Sequence, residues 1–411
     1  MNAITDINNK YNSSIALIVL CCRIHFKSSN LDDLKAFISV NNIDWPEFYT
    51  NCRKQKVRPI VYRILLKIEL PETIKKSLTQ DLNRLTLQSF EQAKETERII
   101  FLCKENGINL IPYKGTAFSK QFFGNINMRE SSDIDLIITP DDLPKAIETL
   151  GKDGYSPYQK EYYQWVGHQN FIQFHKDFSF DKHEGSTRIH HVELHFNIIG
   201  KTTYLPDHRN TFATQQTTNY QLFQKEVDCL LPVEHFRAVA LHHMLMDTMG
   251  YMKTVVDLAQ MWLKIEEQQN KNELSISEIH LLQMVGDNYN LPLIHHTLRE
   301  LLGVETLSKT KVDTNNKIIN RVLSGSYRKV RKNDSPLLDT ISFTYTHLKY
   351  SSCFYLKRYD RLKYILKSIL SFTKPQPEDC TSIKLPKHLY FLYYIIRPFR
   401  LLFFPGDPTK K

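Results

Sequence analysis

Two acidic residues separated by one apolar residue form the pattern in this chain that is most directly tied to chemistry. Asp133 and Asp135 lie in the run Ser-Asp-Ile-Asp-Leu-Ile-Ile that begins at Ser132. Successive side chains of a β-strand alternate between its faces, so both carboxylates project from the same face. Neighbouring carboxylates repel each other unless a cation lies between them, and a pair of Mg²⁺ ions is a common solution. The pattern therefore predicts a metal site on a rigid strand.

A lysine-glycine turn upstream of this strand has residues suited to binding phosphate. Lys114, Gly115 and Thr116 follow a predicted strand and begin a predicted short helix. Glycine lets the backbone approach a phosphate closely, and the amides at a helix start favour an anion. Lys114 adds a charge and Thr116 a hydroxyl, while Arg129 could pair with phosphate oxygens in a bidentate manner. The triplet also occurs in ordinary turns and does not meet the P-loop pattern.

A later predicted strand carries a third acid between two histidines. His191, Glu193 and His195 share one strand face, so Glu193 could complete a site with the two aspartates. Histidine and glutamate on one face also suit zinc or iron. Since no further ligand for such an ion can be assigned from spacing, we favour the first interpretation.

In this order, the motifs resemble the uncharacterised nucleotidyltransferase family of the DNA polymerase β-like superfamily. The resemblance covers roughly residues 90 to 260 and includes the helices around His242 and Asp257. It implies Mg²⁺-dependent transfer of a nucleoside monophosphate from an NTP, such as ATP, to an acceptor hydroxyl, with release of pyrophosphate. Two Mg²⁺ ions are expected, with Mn²⁺ as an alternative.

The resemblance also implies a role for individual residues. The expected catalytic and metal-binding residues are Asp133, Asp135 and Glu193. The expected nucleotide-binding residues are Lys114, Gly115, Thr116, Arg129 and Ser132. The acceptor stays open between a small molecule or sugar, a protein side chain and an RNA 3′ end. The alternative is a catalytically inactive protein of the same fold that binds a polyanion, a membrane surface or a protein partner.

The predicted fold class is α+β, with a small mixed sheet of the polymerase β-like nucleotidyltransferase type and helical regions on either side. We expect a helical N-terminal region at 1–105, a catalytic domain at 106–230 and a helical domain at 231–335. Strands are predicted at 108–113, 133–138, 171–174 and 189–196. Residues 336–411 form a basic, aromatic-rich C-terminal region.

Composition and charge favour an ordinary globular protein with one basic segment. Hydrophobic residues make up 42% of the chain and charged residues 24%, and the seven cysteines lack metal-binding spacing. Residues 341–411 hold 13 Lys and Arg against 4 Asp and Glu, nearly all of the net charge of +10. We expect this segment to pack on the core. The second interpretation is that it contacts RNA, another polyanion or an anionic membrane. The expected location is cytoplasmic, with the inner membrane surface as the alternative.

Overall fold

The computed structural model describes residues 2–158, 160–200, 203–206, 212, 217–305, 317–324, 336–371, 375, 379 and 383–403. Helices predominate in these residues, and two small sheets lie between residues 111 and 230. The α+β class that the sequence predicted, with a small mixed sheet, is confirmed. None of the described helices is long and apolar enough to cross a bilayer.

The chain starts with helices, as predicted. They are α1 (Asn2–Lys10), α2 (Ser13–His25), α3 (Leu31–Val40), α4 (Trp45–Gln55), α5 (Arg58–Leu65) and α6 (Glu72–Glu105). Asparagine begins two of them, because the Asn12 side chain accepts from the Ile15 amide and Asn30 forms a reciprocal capping box with Asp33. The first half of α6 packs on the N-terminal helices and its second half on the sheet, so α6 joins two cores.

The central sheet has five strands in the order β1–β2–β5–β4–β3. They are β1 (Ile111–Pro112), β2 (Ile134–Ile137), β3 (Ser156–Pro157), β4 (Asp177–Glu184) and β5 (Thr187–His195). Strands β2 and β5 are parallel, and the other neighbours are antiparallel. A separate hairpin consists of β6 (Thr217–Gln221) and β7 (Glu226–Leu230). The helices between the strands are α7 (Gly115–Phe123), α8 (Leu143–Lys152), α9 (Lys160–Val166) and α10 (His168–Phe174).

One predicted strand is wrong. Residues 171–174 lie in helix α10, and the strand expected there begins three residues later, at Asp177. A four-residue run with three apolar residues suits either a buried strand or a buried helix, and packing decides between them. Phe171 is fully buried and stacks on His175, one helical turn away, with ring centroids 4.3 Å apart.

The apolar face of the sheet forms the second core. Leu136 of β2 lies beside Leu194 of β5, which in turn pairs with Phe178 of β4. All three are fully buried against the second half of α6 and against α8. Because side chains alternate, this packing commits the intervening residues of β2 and β5 to the opposite face.

The helices after the sheet pack with those before it. They are α11 (Pro232–Leu241), α12 (Met252–Asn270), α13 (Ile276–Asn288), α14 (Leu291–Leu302), α15 (Lys317–Ser324), α16 (Pro336–Ser351), α17 (Arg358–Ser371) and α18 (Tyr393–Phe403). One hydrophobic core includes residues from both sets. Arg23 of α2 ties them further, donating to the carbonyl oxygens of Leu301 at 3.0 Å and Glu300 at 2.6 Å. The domain boundaries at 105, 230 and 335 stay predictions.

Candidate active site

Two carboxylates lie side by side on the polar face of the sheet. Asp135 of β2 is in register with Glu193 of the parallel strand β5. Asp135 is 6% exposed, whereas Glu193 retains a quarter of its side-chain exposure. The hydrophobic residues on either side of each acid anchor the opposite face, so the two strands hold these acids in fixed positions.

His195 brings an imidazole to the same two acids. Its Nε2 lies 2.9 Å from Asp135 Oδ1 and 3.3 Å from a Glu193 oxygen. Potential ligand atoms of all three residues lie within 4.8 Å of one another, which is compact enough for one metal ion. This group contains two of the three predicted metal-binding acids and one histidine.

The protonation states in this group depend on one another. Burial alone would raise the pKa of Asp135, but the hydrogen bond with His195 and the charge of Lys114 lower that pKa to about 2. Burial also opposes ionisation of Glu193, yet hydrogen bonds from His191 and His195 hold its pKa well below the usual range. Both carboxylates are therefore negative at neutral pH, the state that a metal requires.

Asp133 lies on the wall of the same cavity but outside the compact group. It precedes β2, is half-buried, and accepts a hydrogen bond from Ser131 Oγ at 3.2 Å. The structure thus places all three predicted acids on one cavity, and it groups Asp135 and Glu193 with His195. Ser132, predicted to bind nucleotide, is exposed and is not among the described residues that line this cavity.

The lysine-glycine turn lies beside the acids. Helix α7 begins at Gly115, whose φ of +68° is in the left-handed region, and a Cβ there would lie 3.4 Å from the Asp133 carbonyl oxygen. Lys114 lines the cavity, and burial lowers its pKa. Thr116 is buried, and its hydroxyl has no hydrogen-bond partner among the described residues. Thr116 does not belong to the described cavity lining, so its predicted contact with phosphate would need a local movement.

Arg129 has a protein partner that the sequence did not indicate. Its Nε lies 3.0 and 3.1 Å from the two carboxylate oxygens of Asp257, and both side chains are almost fully buried. The guanidinium also lies over the Phe118 ring, 4.9 Å from its centroid. Arg129 still borders the cavity, but one edge of the guanidinium is already occupied.

A short π-helix at His242–Met246 forms part of the cavity wall. Such an irregular helical turn is frequent at functional sites. His243 lies between two acids, with Nδ1 2.8 Å from Asp247 and Nε2 3.1 Å from Asp257. Burial would raise the pKa of Asp247, but His242 and His243 hold it well below the usual range. His242 and Asp247 both line the cavity.

Three more lysines reach the cavity from distant segments. Lys56 follows α4, Lys176 precedes β4 and Lys253 belongs to α12. Lys176 pairs with Asp177, whereas in the described part of the chain Lys56 and Lys253 have no carboxylate within ion-pair distance. Burial, with a smaller effect of Arg129, lowers the pKa of Lys253 to about 8. No local pattern in the sequence marks these lysines, because tertiary packing alone brings them together.

The cavity measures about 700 Å³, enough for a nucleotide-sized ligand. Asp133, Asp135 and Glu193 lie on its sheet side, Asp247 lies at the end of the π-helix, and four lysines and Arg129 also line it. This arrangement can hold a divalent cation together with a polyanion. For the zinc or iron alternative, His195 is the one histidine in the compact group. His191 lies outside that group and bonds Asp181 at 2.6 Å.

Comparison with known families gives one match. A family model described as uncharacterised nucleotidyltransferase matches residues 41–299, which is more than half of the chain. The matched range contains β1–β7 and every cavity residue considered above. Comparisons with curated proteins and with solved structures gave no match.

Proposed function

Because the chain belongs to the uncharacterised nucleotidyltransferase family, as its motifs predicted, we propose that it transfers a nucleoside monophosphate from an NTP to an acceptor hydroxyl. Pyrophosphate is the leaving group. The observation that carries this proposal is the register of Asp135 with Glu193, in a cavity that also contains Asp133 and several lysines. Family membership supports nucleotidyl transfer in general, and the site residues, the two-ion mechanism and the nucleotide are our proposal.

The residues present fit a divalent cation. Asp135, Glu193 and His195 offer two carboxylate oxygens and one imidazole nitrogen within 4.8 Å, and hard oxygen ligands suit Mg²⁺ or Mn²⁺. Asp133 would provide a further carboxylate for a second ion. When bound, such ions offset the charge of the phosphates and favour the ionised acceptor hydroxyl.

The chain's own cations support a triphosphate in this cavity. Gly115 lets the backbone at the start of α7 approach a phosphate, and Lys114 lies directly beside it. Lys56, Lys253 and Arg129, which also line the cavity, would offset further negative charge. We assign the triphosphate to these groups, with the α-phosphate over the acids.

A non-catalytic binding protein is the second candidate, and one observation favours it. His195 already lies between Asp135 and Glu193, so its imidazolium can compensate both charges without a metal. Burial and Lys176 disfavour that cation, yet hydrogen bonds with the two acids raise the pKa of His195. In this alternative the fold is kept, Mg²⁺ is not bound, and the basic segment at 341–411 contacts a polyanion, a membrane or a partner.

The test is pyrophosphate release from each of the four NTPs with Mg²⁺ and host cell extract as the source of acceptor. Wild type is compared with Asp133→Asn/Asp135→Asn, and with Asp141→Asn/Glu148→Gln as a charge-matched control at exposed positions. We expect turnover in wild type and control, and none in the first variant, with unchanged circular dichroism in all three.

A separate measurement tests the metal site without any acceptor. Mn²⁺ binding, followed by its paramagnetic effect on water relaxation, is expected in wild type and control and lost in Asp133→Asn/Asp135→Asn. A folded wild type that binds neither Mn²⁺ nor any NTP overturns the transferase proposal and favours the non-catalytic candidate.

A further inference from the structure

Helix α17 has a continuous apolar stripe on its outer face. The stripe consists of Tyr359, Leu362, Leu366, Ile369 and Leu370, which are each between 52% and 66% exposed. At about 100° per residue, they fall within an arc of about 100°. Single exposed apolar side chains are ordinary, whereas five along one helix face mark a surface that contacts something apolar.

The opposite face of α17 is firmly packed. Tyr364 is 3% exposed, and its ring stacks on Tyr355 with centroids 4.9 Å apart. Asp360 accepts a hydrogen bond from Tyr204 at 2.9 Å. Tyr364 and Ser368 also line the candidate active-site cavity. The helix is thus held in place by its inner face, and exposure of the stripe is a consequence of this packing.

The charges on α17 lie at the edges of the stripe. Arg358 is exposed along one edge, and Lys363 lies along the other, with its ammonium 4.2 Å from the Tyr359 ring centroid. Asp360 is the acid of this helix, and it faces inwards. Cations that flank an apolar arc are typical of helices lying in a membrane interface, where their stems pack on apolar surface and their charges meet phosphates.

We propose that α17 docks this protein onto an anionic lipid bilayer, with the stripe at the boundary between headgroups and acyl chains. Charge complementarity selects this occupant, because a second copy of the chain would bring like charges together at the same face. The proposal does not depend on nucleotidyl transfer. It narrows the expected contact of 341–411 to one helix face and places the cavity beside the membrane surface.

The experiment is sedimentation of the full-length protein with sucrose-loaded vesicles of phosphatidylcholine, with and without phosphatidylglycerol. Wild type should pellet with the anionic vesicles and be released by salt, which screens the attraction. Leu366→Glu should weaken binding by roughly tenfold or more, since it replaces a leucine that would enter the bilayer with an acid that the anionic lipid repels. Arg358→Glu should weaken binding to the anionic vesicles as well.

Leu87→Glu is the matched control, because Leu87 is a 65% exposed leucine on helix α6. It should bind anionic vesicles as wild type does. The proposal is overturned if wild type stays in the supernatant with both vesicle types, or if Leu87→Glu loses as much binding as Leu366→Glu. If wild type does not bind vesicles but self-associates, and Leu366→Glu abolishes this self-association, the stripe contacts a second copy of the chain instead.

Discussion

Arg129 and Asp257 form an ion pair in the protein interior, although 128 residues separate them in the chain. Asp257 is held in turn by His243, which also contacts Asp247 on the cavity wall. The sequence predicted Arg129 as a ligand for phosphate oxygens. In the structure the residue also connects the turn before β2 with helix α12, so its loss would affect both stability and binding.

Replacing Asp257 by asparagine should destabilise the protein strongly. Asp257→Asn leaves the Arg129 guanidinium buried without its counter-charge, and breaking such a pair costs about 3–5 kcal/mol of unfolding free energy. Denaturant unfolding followed by circular dichroism measures this. Glu148→Gln is the control, because its pair with Lys152 is exposed and should contribute nothing measurable. Equal stability of the two variants would contradict the prediction.

Glu193→Gln should remove metal binding, and the neighbouring His191→Gln should only weaken it. Glu193 offers a ligand oxygen, whereas His191 bonds Glu193 and Asp181 from outside the compact group. Loss of such an outer partner costs roughly 10–100-fold in metal affinity, and loss of the ligand should cost more. Titration with Mn²⁺ checks the order, with Glu184→Gln at the exposed end of β4 as the control. The site assignment fails if His191→Gln has the larger effect.

Two glycine substitutions should have opposite effects on stability. Gly115→Ala places a side chain at φ +68° and 3.4 Å from the Asp133 carbonyl oxygen, and should destabilise the fold by about 1–2 kcal/mol. NTP affinity should fall with it, because the start of α7 moves. Gly151→Ala lies in α8 with no atom within 4 Å of the added Cβ, and should stabilise by roughly 0.5–1 kcal/mol. Thermal unfolding of both variants measures the stability, and binding of a non-hydrolysable NTP measures the affinity. The prediction is wrong if both substitutions change the stability in the same direction.

NTP affinity should decrease as the pH rises from 7.5 to 9, a window set by the lowered pKa of Lys253, about 8. Below that pKa the ammonium is charged and attracts phosphate, and above it the attraction disappears. A non-hydrolysable NTP avoids turnover, and fluorescence titration across this range gives the dissociation constant. Lys253→Gln should bind more weakly at pH 7.5 and show a flatter pH profile. Lys152→Gln, at an exposed position of α8, should keep the wild-type profile.

Local patterns were sufficient for much of the fold. The Asp-x-Asp strand, the helix after Lys114 and the strand around Glu193 were predicted because alternation and turn chemistry act over a few residues. The error at 171–174 has the same origin, since a four-residue run with three apolar residues cannot distinguish a strand from a buried helix. The strand predicted at 108–113 is shorter in the structure and consists of Ile111–Pro112, the two residues that pair with β2.

The sequence by itself determined the acids of the candidate site and the family to which the chain belongs. Asp133, Asp135 and Glu193 were identified from strand periodicity and motif order, which depend on neighbouring residues only. The tertiary structure decided that His195 joins Asp135 and Glu193, that Asp257 holds Arg129, and that Lys56, Lys176 and Lys253 border one cavity. Strand register and helix packing place residues far apart in the chain next to each other, and no local pattern encodes those distances.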